Sequence, residues 1–254
     1  MERTAPTPGQ PTWIELFTTD ADAACRFYAD LLGWTVGESS SEFGGYRMLF
    51  LDGTPIAGVM PDDGSGAPSA WNTYLAVEDV EATVARVPDG GGTVLVPPGT
   101  VADLGRFAVL ADPAGAVVGL WQPIEFAGFA RFAEVGAPGW FETLSTDYDA
   151  SVAFYRDVLD WPTHTMSDTP DFRYTTHGKD AEASAGIMDA SGFLSAGQAS
   201  WQFYLLVEST DETVARALEL GGSESQPAED TPYGRIGSLV DPLGVPFKVM
   251  QSLG

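Results

Sequence analysis

The sequence predicts an α+β protein of two homologous domains in tandem. Each domain is built from two βαβββ modules that form a curved mixed sheet, a cup, with helices on its outer face. Three observations carry this expectation. The chain has 254 residues, a length that suits two compact domains. A long-period repeat runs through it, and within each half a shorter repeat alternates strand-like and amphipathic runs.

The long repeat is ordered. Trp13-Ile14-Glu15-Leu16-Phe17-Thr18-Thr19-Asp20 returns as Trp140-Phe141-Glu142-Thr143-Leu144-Ser145-Thr146-Asp147, Phe27-Tyr28 as Phe154-Tyr155, and Trp34 as Trp161. Tyr46-Arg47 matches Phe172-Arg173, and Ala57-Gly58-Val59-Met60 matches Ala185-Gly186-Ile187-Met188. Trp71-Asn72-Thr73-Tyr74 matches Trp201-Gln202-Phe203-Tyr204, and Asp112-Pro113-Ala114-Gly115 matches Asp241-Pro242-Leu243-Gly244. The expected layout is an N-terminal extension over 1–10, a first domain over 11–122, a linker over 123–138 and a second domain over 139–254. Phe126, Phe129 and Phe132 predict that the linker packs onto the body instead of tethering freely.

Within the first module, the strand from Trp13 ends at Asp20, an expected N-cap for an amphipathic helix carrying Ala24, Phe27, Tyr28, Leu31 and Leu32. Gly33 stops that helix. Strands follow over Gly44–Leu51 and Pro55–Met60, punctuated by Asp52-Gly53. Pro61 to Ser69 reads as a loop. The second module opens at Trp71, with a helix from about Asp79 to Val87, the Gly90-Gly91-Gly92 break, and strands near Val94, Phe107 and Val117.

Composition narrows the function. Hydrophobic residues make up 44% and charged residues 19%, so the chain folds and stays soluble. The net charge of −24 repels phosphate backbones and anionic lipid, which argues against nucleic-acid and membrane partners and favours cationic ligands. A single cysteine, Cys25, and a start without an apolar leader point to the cytoplasm. Cys25 reads as a small buried apolar residue. His164 and His177 are the only histidines, and their edge or loop context reads as solvated. Walker loops, Gly-x-Ser-x-Gly and His-Glu-x-x-His do not occur.

Strand, Asp, a helix with Phe-Tyr and Leu-Gly-Trp, then a terminal Asp-Pro-x-Gly before the last strand together resemble the vicinal oxygen chelate superfamily. That group includes glyoxalase I, bleomycin-resistance proteins and extradiol dioxygenases. The Trp-x-Glu opening, Trp-Asn-Thr-Tyr strand and Gly-Leu-Trp-Gln ending are similar to the tandem glyoxalase-like proteins of actinobacteria. Metal-dependent members take His, Gln or Glu ligands from four strand positions. The resemblance places Trp13, Gly58, Asn72 and Gly119 there in the first domain, and Trp140, Gly186, Gln202 and Lys248 in the second. Glycine has no donor atom, indole N–H only donates and lysine repels a divalent ion, so neither cup is expected to hold a metal or other cofactor.

Because i and i+2 share a strand face, the cups should also receive Glu15, Phe17, Met60, Tyr74 and Trp121, and Glu142, Met188, Tyr204 and Met250. Rings, thioethers and glycine gaps describe a pocket for a flat, largely apolar ligand, although Trp13 and Tyr74 could equally fill the cup as core. Glu15 and Glu142 are the candidate catalytic or amine-binding groups, with Arg47 and Arg173 as the alternative partners that would neutralise them. Arg106 and Arg235 read as surface residues. The favoured expectation is a metal-independent binding protein of the bleomycin-resistance type, sequestering or presenting an aromatic natural product or drug that may be cationic, as a monomer or homodimer. The alternative is a metal-independent isomerase, hydrolase or lyase with Glu15 or Glu142 as general base. A glyoxalase-type metalloenzyme is the third reading.

Overall fold

The computed structural model describes residues 6–62 and 64–251; residues 1–5 of the expected extension, Asp63 and 252–254 lie outside the described residues. The first half runs β1 (Pro11–Thr18), α1 (Ala21–Leu32), β2 (Thr35–Val36), β3 (Arg47–Leu51), β4 (Thr54–Pro61), β5 (Ala70–Ala76), α2 (Val80–Arg86), β6 (Thr93–Val101), β7 (Gly105–Ala111) and β8 (Val117–Pro123). These strands form one eight-stranded sheet in the order β2-β3-β4-β1-β5-β8-β7-β6.

The second half repeats it with β9 (Pro138–Ser145), α3 (Tyr148–Val158), β10 (Thr163–Thr169), β11 (Phe172–His177), β12 (Ala185–Asp189), β13 (Ser200–Leu206), α4 (Thr210–Glu219), β14 (Ser223–Thr231), β15 (Gly234–Val240) and β16 (Pro246–Gln251). Its order is β10-β11-β12-β9-β13-β16-β15-β14. Two tandem α+β domains of paired βαβββ modules are therefore present. The modules that pair are consecutive ones, joined through antiparallel β1–β5 and β9–β13.

Local chemistry explains the elements. Asp20 accepts a hydrogen bond from the Ala23 N–H at 2.9 Å, and Asp79, Asp147 and Ser209 cap α2, α3 and α4 in the same way. Gly33 ends α1 at φ 72°, a left-handed conformation that needs glycine. On the helix side, Ile14, Leu16, Val59, Leu75 and Leu120 are fully buried, so that face of each sheet is core. The opposite face of the first sheet carries Trp13, Glu15, Phe17, Gly58, Met60, Asn72, Tyr74, Gly119 and Trp121, as the registers Glu15↔Gly58, Glu15↔Asn72 and Tyr74↔Gly119 require. Among the described residues no helix is long and apolar enough to cross a membrane.

The motifs shared by the two halves turn out to join them. The Tyr28 hydroxyl of α1 donates to Asp241 Oδ2 in the far domain at 3.1 Å, and Trp71 Nε1 donates to Tyr28 at 2.9 Å. The mirror set has Tyr155 donating to Asp112 Oδ2 at 3.1 Å and Trp201 donating to Tyr155 at 2.8 Å. Gly90 and Gly92 let α3 approach closely, since a Cβ there would meet Val158 at 2.5 Å and Phe154 at 2.7 Å. The glycine run is thus a packing surface. In the segment joining β8 to β9, Phe129 and Phe132 stack with Phe141, so this stretch is packed as expected.

Candidate functional site

On the helix-free face of the first sheet, Glu15 of β1 is the centre of a ring-lined cluster. The Tyr74 hydroxyl donates to Glu15 Oε1 at 3.0 Å, and the Tyr46 hydroxyl is also hydrogen-bonded to the carboxylate. Trp13 Nε1 donates to the Tyr46 oxygen at 2.9 Å. Tyr46, just ahead of β3, therefore arches over β4 to reach two residues of β1. Phe126 closes one side, edge-on to Trp13 with ring centroids 4.9 Å apart, while Trp121 Nε1 donates to the Phe126 carbonyl at 2.7 Å.

The second sheet repeats the cluster with more bonds. Tyr174 donates to Glu142 Oε2 at 2.9 Å and accepts from Trp140 Nε1 at 2.8 Å. The Tyr204 hydroxyl and Gln202 Nε2 both donate to Glu142 Oε1. Lys248 Nζ stands 5.3 Å from the Tyr204 ring centroid. Asn72, which occupies the position of Gln202, makes no side-chain hydrogen bond among the described residues, so the first cluster keeps an open amide.

Several expectations need correction. Gly58 and Gly119 do not leave empty space: a Cβ there would lie 1.6 Å from the Tyr46 oxygen and 2.2 Å from the Tyr74 ring, and at Gly186 in the second domain it would lie 2.1 Å from the Tyr174 oxygen. The glycines seat the protein's own tyrosines. Arg47 and Arg173 do not neutralise the glutamates, because Arg47 holds Asp22 at 2.6 Å and Arg173 holds Asp149 and Asp168 at 2.6 and 2.8 Å on the helix side. His177 is not solvated but buried against Trp161, with Ser184 Oγ 3.3 Å from Nδ1. His164 is half-buried on β10. Cys25 is buried, as expected.

Tyr46, Tyr174 and Phe126 are site residues that sequence reasoning missed. The structural partner of Tyr46 is Tyr174, two positions beyond the Phe172 that the repeat aligns with it. The registers Met48↔Gly58 and Thr176↔Gly186 settle this.

Burial pushes the Glu15 carboxyl above its ordinary value of 4.5, and the two tyrosine hydrogen bonds offset part of that rise. The folded chain thus holds this proton more tightly than the unfolded chain, and stability is lost as pH rises from the ordinary value through the raised one. Glu15→Gln removes that loss. We expect its melting temperature to exceed wild type at pH 7–8, with the gain closing below about pH 4.5. Thermal melts across pH read this, and a gain that persists unchanged in acid contradicts it.

The strand positions at which the resemblance expects metal ligands carry few ligand atoms. The indole N–H groups are donors already used, the glycine positions are covered by rings, and Glu142 has both oxygens engaged beside a lysine. No group of three or more His, Cys, Asp or Glu that could hold a metal ion occurs among the described residues.

Paired βαβββ modules that build one eight-stranded sheet per domain are the architecture of the glyoxalase class of fold. Residues 10–120 match the Glyoxalase/Bleomycin resistance protein/Dioxygenase superfamily and residues 141–250 match the Glyoxalase-like domain family. The chain belongs to that superfamily. Its relatives include CFP32 of Mycobacterium bovis, named as a glyoxylase, 36% identical with 96% of this chain and 95% of the relative covered. Another is the anthracycline biosynthesis protein DauV of Streptomyces sp. strain C5, 34% identical with 96% and 94% covered. The Mn(II)-bound glyoxalase of Novosphingobium aromaticivorans shares the fold at TM-score 0.65 and 15% identity, with 97% of this chain and 83% of that chain covered.

Proposed function

We propose that this chain is a metal-independent binding protein of the bleomycin-resistance type that sequesters or presents a flat aromatic natural product. The observation that carries this reading is the state of the two carboxylates, which face tryptophan and tyrosine rings and are held by phenol hydroxyls, two residues along the strand from a position where the resemblance expects a metal ligand and this chain has tryptophan. Relatives named for anthracycline biosynthesis support an aromatic polyketide as ligand. The open Asn72 amide beside Glu15 favours the first cluster as the receptor for a hydrogen-bonding or amine group, and the −24 charge draws a cation toward it.

Titration with doxorubicin and with its amine-free aglycone tests this through quenching of Trp13 and Trp140 fluorescence. Both should bind, doxorubicin more tightly, and Glu15→Ala should weaken doxorubicin about 10-fold or more, the equivalent of about 1.4 kcal/mol. Failure of both to quench removes the reading. Elemental analysis of protein purified without chelators should find no stoichiometric manganese, nickel, zinc or iron.

A second reading rests on the raised Glu15 proton affinity, which suits a general base. Under it, Glu15→Gln abolishes turnover of a bound polyketide while affinity is kept. Ligand recovered unchanged after prolonged incubation counts against it.

A further inference from the structure

Lys248 separates the two clusters. It sits on β16 opposite Tyr204, at the position that Gly119 occupies in the first domain, half-buried with its ammonium over the Tyr204 ring. In a chain of net charge −24 it has no carboxylate partner among the described residues. By contrast, Arg47, Arg106, Arg173 and Arg235 each hold an acid. The nearby Glu142 is not the missing partner, since Tyr174, Tyr204 and Gln202 donate to both of its oxygens. Gln202 and Tyr204 are further tied by a 3.1 Å bond, so the ring beneath the ammonium is fixed.

We infer that the second cluster binds the anionic form of an acidic hydroxyaromatic, such as a hydroxyquinone, with the ammonium of Lys248 on the ionised oxygen. This rests on the reading that the ring-lined faces take flat aromatic guests, and adds the charge state that one of them selects. A phenolate supplies a charged acceptor for the Lys248 ammonium and a planar body to lie beside half-buried Trp140, Met188 and Met250. The charged or titratable groups facing this position are Glu142 from β9, Tyr174 from β11 and Tyr204 from β13, with Glu229 from β14 acting electrostatically on Tyr204. Glu142 and Glu229 oppose an anion, so the preference depends on Lys248. The first cluster has Glu15 and no cation at the corresponding glycine, and does not share it.

The test uses alizarin, whose visible spectrum reports its own ionisation, and 1,2-dimethoxyanthraquinone, which cannot ionise. Wild-type protein should lower the pH at which alizarin ionises by about one unit, meaning about 10-fold tighter binding of the anion than of the neutral acid. Lys248→Met should remove that shift and leave tryptophan quenching by the dimethoxy compound unchanged, while Lys248→Arg keeps the shift and Lys179→Met, on an exposed loop, has no effect. If Lys248→Met shifts alizarin as wild type does, the inference falls and the binding reading stands. If neither compound quenches any variant, both fall.

Discussion

Asp112→Ala is expected to lower the melting temperature by about 6–12 °C, the equivalent of about 3 kcal/mol in a chain of this size. Asp112 is 3% exposed, and its two oxygens serve different domains. Oδ1 accepts the Ala116 N–H at 2.9 Å inside its own turn, while Oδ2 accepts the Tyr155 hydroxyl from the other domain at 3.1 Å. Truncation leaves a buried N–H without its acceptor and a fully buried phenol without its own, and each such group costs about 1–3 kcal/mol. Asp241→Ala should behave alike, because Asp241 takes Tyr28 from α1 and the Val245 N–H. Calorimetry of the double variant should show a larger loss than either single variant, since two of the hydrogen-bonded ties between the domains go while Arg86 still holds Asp160. A loss no larger than that of Asp157→Ala, which removes only an exposed ion pair with Arg156, would falsify this account.

Gly119→Ala is the second large effect, at about 2 kcal/mol or about 4–8 °C. The added methyl would stand 2.2, 2.4 and 2.7 Å from Cδ1, Cε1 and Cγ of Tyr74. Contact reaches the root of the ring, so the side chain cannot swing clear as a long flexible one would. The Tyr74 hydroxyl must then leave Glu15, and the variant should lose ligand affinity along with stability. Gly192→Ala, where a Cβ meets nothing within 4 Å, is the control. Equal melting temperatures for the two variants would show that the ring does not rest on Gly119.

These two sites show how the sequence is legible and where it stops being so. Phe-Tyr, the strand-opening Trp and Asp-Pro-x-Gly were readable as a repeat, because identical residues recur in the same order. Their task was not: Tyr28 meets Asp241 across 213 positions, and nothing local says that a helix of one domain will touch a turn of the other. The sequence shows where the glycines stand, but not that a tyrosine ring fills the space beside Gly58 and Gly119. Alternation along a strand tells which face a residue occupies, but not which ring from a neighbouring strand will lie across it. Tyr46 was missed for that reason, since it reaches Trp13 only because β3 and β1 flank β4 in the sheet.

The sequence by itself determined the two-fold repeat, the module order, the Asp20 cap and which residues share the helix-free faces. All of these follow from period, capping chemistry and side-chain alternation, which act over a few residues. Only the tertiary structure decided that consecutive modules pair, that the shared aromatic and Asp-Pro motifs bind the domains together, and that tyrosines occupy the glycine positions and hold each carboxylate. The physical reason is that hydrogen bonds such as Tyr174 to Glu142 and close contacts such as Tyr74 on Gly119 join strands distant in sequence, and their geometry exists only once the sheet has formed.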